Sequence, residues 1–213
     1  EMEMKSRTHR IAILLIGSSL LPLLAPLRAE AQPTVYAGGF CTDRKSPEPG
    51  FWKDGQWRRV MKEGAVDALL ISDSVLYAAG FNYATGEPVP GYWKGRNFDF
   101  ISLQEKYVQQ QAPAQVKALL IVGDKLYAAG FQQRMQPVAG YWEEGSWTQL
   151  PITQKGKPSQ VNALGQIGSD IIAAGFADGS PGYWRNGKWN ALPVVNPKES
   201  STVTSVAVNG EDI

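Results

Sequence analysis

The sequence predicts an all-β protein, a β-propeller of four-stranded antiparallel blades with about four repeats present as part of a larger propeller. Three observations carry this expectation. Tyr77-Ala78-Ala79-Gly80-Phe81, Tyr127-Ala128-Ala129-Gly130-Phe131 and Ile172-Ala173-Ala174-Gly175-Phe176 repeat one another, and Tyr36-Ala37-Gly38-Gly39-Phe40 is an earlier copy. The closing Phe falls at 40, 81, 131 and 176, intervals of 41, 50 and 45 residues, the period of a propeller blade or comparable sheet module. Behind each copy comes Gly-aromatic-Trp and then a turn glycine, which is hairpin chemistry.

Ahead of the repeats, Lys5, Arg7, His9 and Arg10 form a basic region, and Ile11 to Ala25 is apolar apart from Gly17, Ser18, Ser19 and Pro22. Ala29-Glu30-Ala31 then supplies the small residues of a cleavage site. Residues 1–31 read as a secretory signal peptide, and 32–213 as the repeat domain. A membrane anchor is the competing reading, but a span needs about 20 apolar residues, and Pro22, Pro26 and Arg28 break this run. The expected location is secreted or periplasmic. Cys41 is the single cysteine, so no internal disulfide is available and packing must hold the exported chain together.

Composition narrows the chemistry. With 21 basic and 20 acidic residues scattered along the chain, no field argues for nucleic acid or anionic lipid. The only histidine, His9, lies in the segment expected to be removed. Ser-His-Asp and Cys-His arrangements, His-ligated metals and a His acid/base are thereby excluded from the mature chain. No Asp-x-Asp-x-Asp calcium loop occurs, and no cofactor or metal is expected.

Each unit divides into four short strands. The first is an aliphatic stretch of four to seven residues, as in Val66 to Ile71, Val116 to Ile121, Val161 to Gln166 and, less closely, Val203 to Val208. A tight turn follows at Ser72-Asp73-Ser74, Gly123-Asp124 and Gly168-Ser169-Asp170. The second strand is the Ala-Ala-Gly-Phe element, whose Ala and Gly are poor strand formers, so close approach of neighbouring sheets must select them. The third and fourth strands form a hairpin about Asp54-Gly55, Gly145 or Asn186-Gly187, with Gly95 in the remaining copy. In all four hairpins two aromatics stand six residues apart: 51 and 57, 92 and 98, 141 and 147, 183 and 189. Stacking on carbohydrate is one use for such aromatics. Their recurrence in every unit favours packing between sheets instead.

The strand Leu-Tyr-Ala-Ala-Gly-Phe, a variable loop, a Tyr, a Trp six residues later and then Leu-Pro, as in Tyr141, Trp147, Leu150 and Pro151, resembles the kelch repeat of β-propellers. The resemblance runs from about Thr34 to the end. Gly38-Gly39 keeps the kelch Gly-Gly pair, where the other copies have Ala-Gly. The doubled Tyr-Trp and the turn glycine are closer to uncharacterised secreted bacterial repeat proteins with a Tyr-Trp-x-x-Gly signature. Some kelch-type propellers are copper oxidases, but that site needs His ligands.

Val203 to Ile213 aligns with the first strand and turn of another unit. Either the chain is cut from a larger propeller, or this strand completes the first unit, which begins at its second strand, and closes four blades. The first is preferred, since four is the bottom of the usual range of about 4 to 8 blades.

Turns between strands one and two and between three and four read as short and uniform. Links between strands two and three and between units vary: Thr42 to Glu48, Asn82 to Val89, Gln132 to Val138 and Ala177 to Ser180 in the first set, Glu105 to Ala114, Thr153 to Ser159 and Asn196 to Ser201 in the second. Both sets emerge on one face, where variable loops on a rigid scaffold usually carry recognition. Arg44, Lys45, Tyr83, Gln132, Arg134 and Asp178 are the candidate ligand contacts on that face. The expected function is an exported, non-catalytic binding or scaffolding module for a protein, glycan or cell-envelope ligand. Two alternatives stand beside it: a sensor module of a larger protein, and a His-free hydrolase or lyase using paired carboxylates. Against the enzyme, Asp73, Asp124 and Asp170 recur in the same turn between strands one and two, and the one non-repeating pair, Glu143-Glu144, falls in a turn.

Overall fold

Residues 33–43, 46–83, 86–95, 97–104, 112–152, 154, 156–194, 196 and 199–209 are described by a computed structural model. Residues 1–31, expected to be a signal peptide, lie outside them, as do Arg44 and Lys45.

Fifteen strands form four antiparallel sheets. The first has three strands, β1 (Tyr36–Asp43), β2 (Ser46–Lys53) and β3 (Gln56–Arg59). The second comprises β4 (Gly64–Ser72), β5 (Val75–Asn82), β6 (Val89–Lys94) and β7 (Asp99–Ser102). The third comprises β8 (Ala114–Val122), β9 (Lys125–Gln133), β10 (Pro137–Glu143) and β11 (Ser146–Gln149). The fourth comprises β12 (Ser159–Ile167), β13 (Asp170–Ala177), β14 (Ser180–Arg185) and β15 (Lys188–Ala191). Strands within each sheet pair in chain order, and no helix occurs among the described residues.

The glycine of the repeated motif has its reason inside its own sheet. In β4 the register slips between Val66 and Ala68, so Asp67 is the extra residue of a bulge, and Lys117 and Asn162 are its counterparts in β8 and β12. The bulge pushes the strand against the glycine opposite. A Cβ on Gly80, Gly130 or Gly175 would lie 2.1, 2.0 or 1.9 Å from the carbonyl oxygen of Ala65, Gln115 or Gln160. The expectation of close approach by a neighbouring sheet is therefore corrected for the glycine: its own sheet's first strand crowds it.

The alanines do answer to neighbouring sheets. Period-two alternation turns the first alanine toward the preceding sheet and the second toward the next. Ala129 and Tyr141 of the third sheet thus share a core with Ala173, Trp184 and Trp189 of the fourth. Ala79 and Tyr92 of the second meet Ala128, Trp142 and Trp147 of the third in the same way. Trp93, Trp142 and Trp184 are fully buried, so the repeated aromatics are packing residues. Cross-strand ring pairs recur with them, Trp52–Trp57 at 4.5 Å and Trp142–Trp147 and Trp184–Trp189 at 4.4 Å.

The second hairpin differs from its expected form. Asp54-Gly55, Glu144-Gly145 and Asn186-Gly187 are two-residue turns with positive φ at both positions, the twist that suits a hairpin. In the second sheet Lys94 pairs with Asp99, which leaves four residues in the loop and makes Phe100, not Phe98, the partner of Trp93 at 5.0 Å. The even spacing of six is thus corrected at this copy, and Phe98 is released for another use. The expected strand at Val203 to Val208 also does not form: this segment has no regular secondary structure.

Candidate functional site

In the second, third and fourth sheets the link between strands two and three lies at the same end as the start of the first strand. Tyr83 N–H donates to Glu63 O (3.4 Å), Gln133 N–H to Pro113 O (2.6 Å) and Asp178 N–H to Pro158 O (3.2 Å). Four of the six sequence candidates can be placed here. Half-buried Tyr83 stands edge-on to Phe81 with ring centroids 5.2 Å apart. Gln132 belongs to β9, between Ala114 and Val138, so its loop assignment is corrected; the pairing of Pro137 with Gln133 shortens the loop to residues 134–136. Its Oε1 accepts from exposed Arg134 Nη2 at 3.3 Å. Asp178 occupies a two-residue turn at φ 55°, and its Oδ2 accepts from Gln154 N–H at 3.1 Å. That carboxylate ties a turn to the preceding link. The structure joins Gln132 to Arg134 and gives Tyr83 and Asp178 local contacts of their own.

Opposite this end, a cleft opens between each pair of successive sheets. Its wall is an aromatic pair from the second and third strands: Tyr36–Phe51 at 6.0 Å, Tyr77–Tyr92 at 6.2 Å and Tyr127–Tyr141 at 5.9 Å. Burial, with Tyr77 adding to it, lifts the Tyr92 phenol above its ordinary 10.0. Burial, and then Glu143, does the same for Tyr127. The three clefts differ in charge. The one between the third and fourth sheets, about 280 Å³, has no charged residue in its described lining, and the one between the second and third, about 400 Å³, mixes Lys94 with Asp124 and Glu144.

Of these three, the cleft between the first and second sheets has the greatest volume, about 760 Å³, and its described lining includes Lys53, Arg58 and Arg59 and no acidic residue. Two breaks in the repeat meet there. Arg58 pairs with Phe51 in the register where the other sheets have Ile101, Thr148 and Asn190, so a cation replaces a neutral residue only in this copy. The longer second hairpin also places Phe98 against Phe51, with centroids 4.9 Å apart. Lys53 Nζ stands 5.7 Å from the centre of the Tyr36 ring, and Arg59 Nη1 bonds Glu48 Oε1 at 2.9 Å. Arg58 is exposed and has no acidic partner among the described residues. One cation over an aromatic face, a second exposed guanidinium at Arg58 and the ring of Phe98, in a cleft of ligand size, make a site for an anion with a flat apolar side.

Sequence reasoning missed Arg58, Arg59, Lys53 and Phe98. The signal was present, since Arg58-Arg59 has no counterpart in the other copies, but it needed the two-residue shift of the second hairpin to become visible. Of the Glu143-Glu144 pair, Glu143 Oε1 is bonded to Lys125 Nζ at 2.5 Å, and Glu144 has φ 50° in its turn. No group of three or more His, Cys, Asp or Glu placed to hold a metal occurs among the described residues. Neither a protein-family model nor a curated protein matches this chain.

Proposed function

We propose that this chain is an exported, non-catalytic binding module of the kelch-like β-propeller kind, whose ligand is an anionic sugar held in the cleft between the first two sheets. The observation that carries the reading is the convergence of the repeat's two irregularities, Arg58-Arg59 and the extended hairpin bearing Phe98, on one cleft. A repeat scaffold maintained only by packing has no reason to depart from its pattern twice at one place. A uronate sugar matches the site's chemistry: its carboxylate meets the guanidinium of Arg58, and its apolar ring face lies on the part-exposed ring of Phe98, which buried Phe51 backs.

Successive sheets stacked through their first strands, with four antiparallel strands to a full sheet, support the propeller reading. The loop face stands second as a binding surface, because Gln132 and Asp178 are engaged within their own repeats. The test is calorimetric titration of the purified protein with trigalacturonate and, separately, with neutral galactotriose. Binding of the acidic sugar alone, weakening as salt rises, is expected. Equal binding of the two sugars, or binding of neither, overturns the assignment.

A further inference from the structure

Gly39 occupies the motif position of Gly80, Gly130 and Gly175, yet nothing in its surroundings calls for glycine. At the other three a Cβ would lie within about 2 Å of a carbonyl oxygen on the bulged first strand. At Gly39 the nearest atom to an added Cβ is Trp52 Cζ3, at 3.3 Å, and φ is outside the left-handed region. Among the described residues β1 pairs only with β2, so the strand that crowds the glycine elsewhere has no counterpart here. Phe40, next in the motif, is 55% exposed, whereas its counterpart Phe81 is 8% exposed. The edge of β1 thus keeps the glycine suited to a bulged strand and exposes the phenylalanine such a strand would cover.

The chain also holds the complementary half. Val203-Thr204-Ser205-Val206-Ala207-Val208 has the aliphatic spacing of the first strands β4, β8 and β12. It is seated as a first strand would be, against the face of the preceding sheet. Val206 Cγ1 and Val208 Cγ2 lie 3.2 Å from the Cβ position of Gly165 in β12. Asn162 Nδ2 donates to Val203 O (2.7 Å) and Thr202 Oγ1 (2.8 Å), and Val203 N–H donates to Gly175 O (3.1 Å). Its own backbone nevertheless joins no sheet, apart from an isolated bridge at Asn209. An unpaired strand edge is a template for pairing with another chain.

We infer that the free edge of β1 is completed by the Val203–Val208 segment of a second copy of this chain, which pairs with it antiparallel and places a bulge opposite Gly39. The segment stays seated on its own β12 while its open edge takes the partner's β1, so the last sheet of one copy is followed by the completed first sheet of the other. The union leaves the cleft of the first two sheets intact, and it can hold whether or not that cleft binds a sugar.

The register of the other sheets fixes the pairing. Gly80 faces Val66 and Asn82 faces Gly64 in β4, which sets Gly39 opposite Val203 and Cys41 opposite Ser201. Light scattering of the purified protein should give twice the chain mass. Mild oxidation of Ser201→Cys should trap a disulfide-linked dimer through the half-buried thiol of Cys41. A monomeric mass with an internal disulfide between Cys41 and the introduced thiol would mean closure within one chain and overturn the inference, as would a monomeric mass with no cross-link. Gly39→Ala gives an independent reading: dimer dissociation should strengthen at least tenfold while the monomer's melting temperature holds. A Gly39→Ala dimer of unchanged affinity also overturns it.

Discussion

Lys117 Nζ lies 3.1 Å from Asp67 Oδ2, an ion pair that crosses from the third sheet to the second. Both residues are the extra residue of their strand's bulge, which turns side chains from equivalent positions toward one another. Their side chains are 24% and 25% exposed, so water still screens the pair. Lys117→Met should lower unfolding free energy by about 1 kcal/mol or less. Urea denaturation checks this, and the difference between wild type and variant should narrow in 1 M salt, where the screening length falls to about 3 Å.

A second test concerns the glycine in the third strand. A Cβ on Gly140 would lie 2.4 Å from the Trp147 ring and 2.5 Å from Thr148 O, so Gly140→Ala overpacks a core contact. The expected loss is about 1–3 kcal/mol, seen as a lower urea midpoint with unchanged slope. Gly55, in a turn at φ 80° with nothing within 4 Å of a Cβ, is the contrast. Gly55→Asn should cost under about 1 kcal/mol, because asparagine enters the left-handed region with least strain.

The repeat made the sheets legible. Aliphatic first strands, Asp-Gly and Asn-Gly turns and the Tyr-Trp element each depend on residues close in sequence, and their hydrogen-bonding consequences are local. The bulge was not legible, because Asp67, Lys117 and Asn162 look like ordinary polar members of an alternating strand; only pairing with Gly80, Gly130 and Gly175 reveals the extra residue. The cleft was hidden for a related reason. Phe98 stands at the spacing of Trp57, Trp147 and Trp189, and strand register, a property of two strands together, decides that Phe100 takes that place. At Gln132 variation in sequence resembles a loop, although the backbone continues in β9.

The indole nitrogens of equivalent tryptophans separate hydrogen bonding from volume. Trp184 Nε1 donates to Pro151 O at 2.7 Å, whereas Trp93 Nε1, equally buried, finds no acceptor among the described residues. The two replacements by Phe remove the same atoms from similar cores. Trp184→Phe additionally leaves a carbonyl without its donor, a further loss of about 1 kcal/mol. Thermal or urea unfolding should therefore rank Trp184→Phe below Trp93→Phe, and equal losses would show that the bond to Pro151 contributes nothing.

Acid should weaken the fourth sheet through Asp170. The Arg185 guanidinium, bonded at 2.7 Å, and then the Asn186 amide hold this carboxyl below its ordinary 3.8. A folded value below the unfolded one means that the stabilisation is present above the unfolded value and is lost as pH falls through the folded one. Asp170→Asn removes that dependence. Unfolding curves from about pH 5 down to about pH 2 should show wild type and variant converging, whereas parallel curves would assign the acid sensitivity to other carboxylates.

The cleft makes the most specific demand on the sugar-binding reading. Arg58 supplies a guanidinium where the other copies are neutral, and Phe98 supplies a ring that only the longer hairpin can deliver. Losing one charge-assisted hydrogen bond of about 1.5 kcal/mol or more corresponds to about a tenfold weaker complex. Arg58→Gln should reach that loss for trigalacturonate and flatten the salt dependence, since one fewer charge is then screened. Phe98→Ala should weaken binding by a similar factor without altering the salt slope, because stacking on an apolar ring face carries no charge. Arg134→Gln, at the loop end beside Gln132, should leave affinity unchanged, which separates the cleft from the loop face as the seat of recognition. Calorimetric titration of the three variants decides between them, and a larger effect at Arg134 than at Arg58 would move the site to the loops.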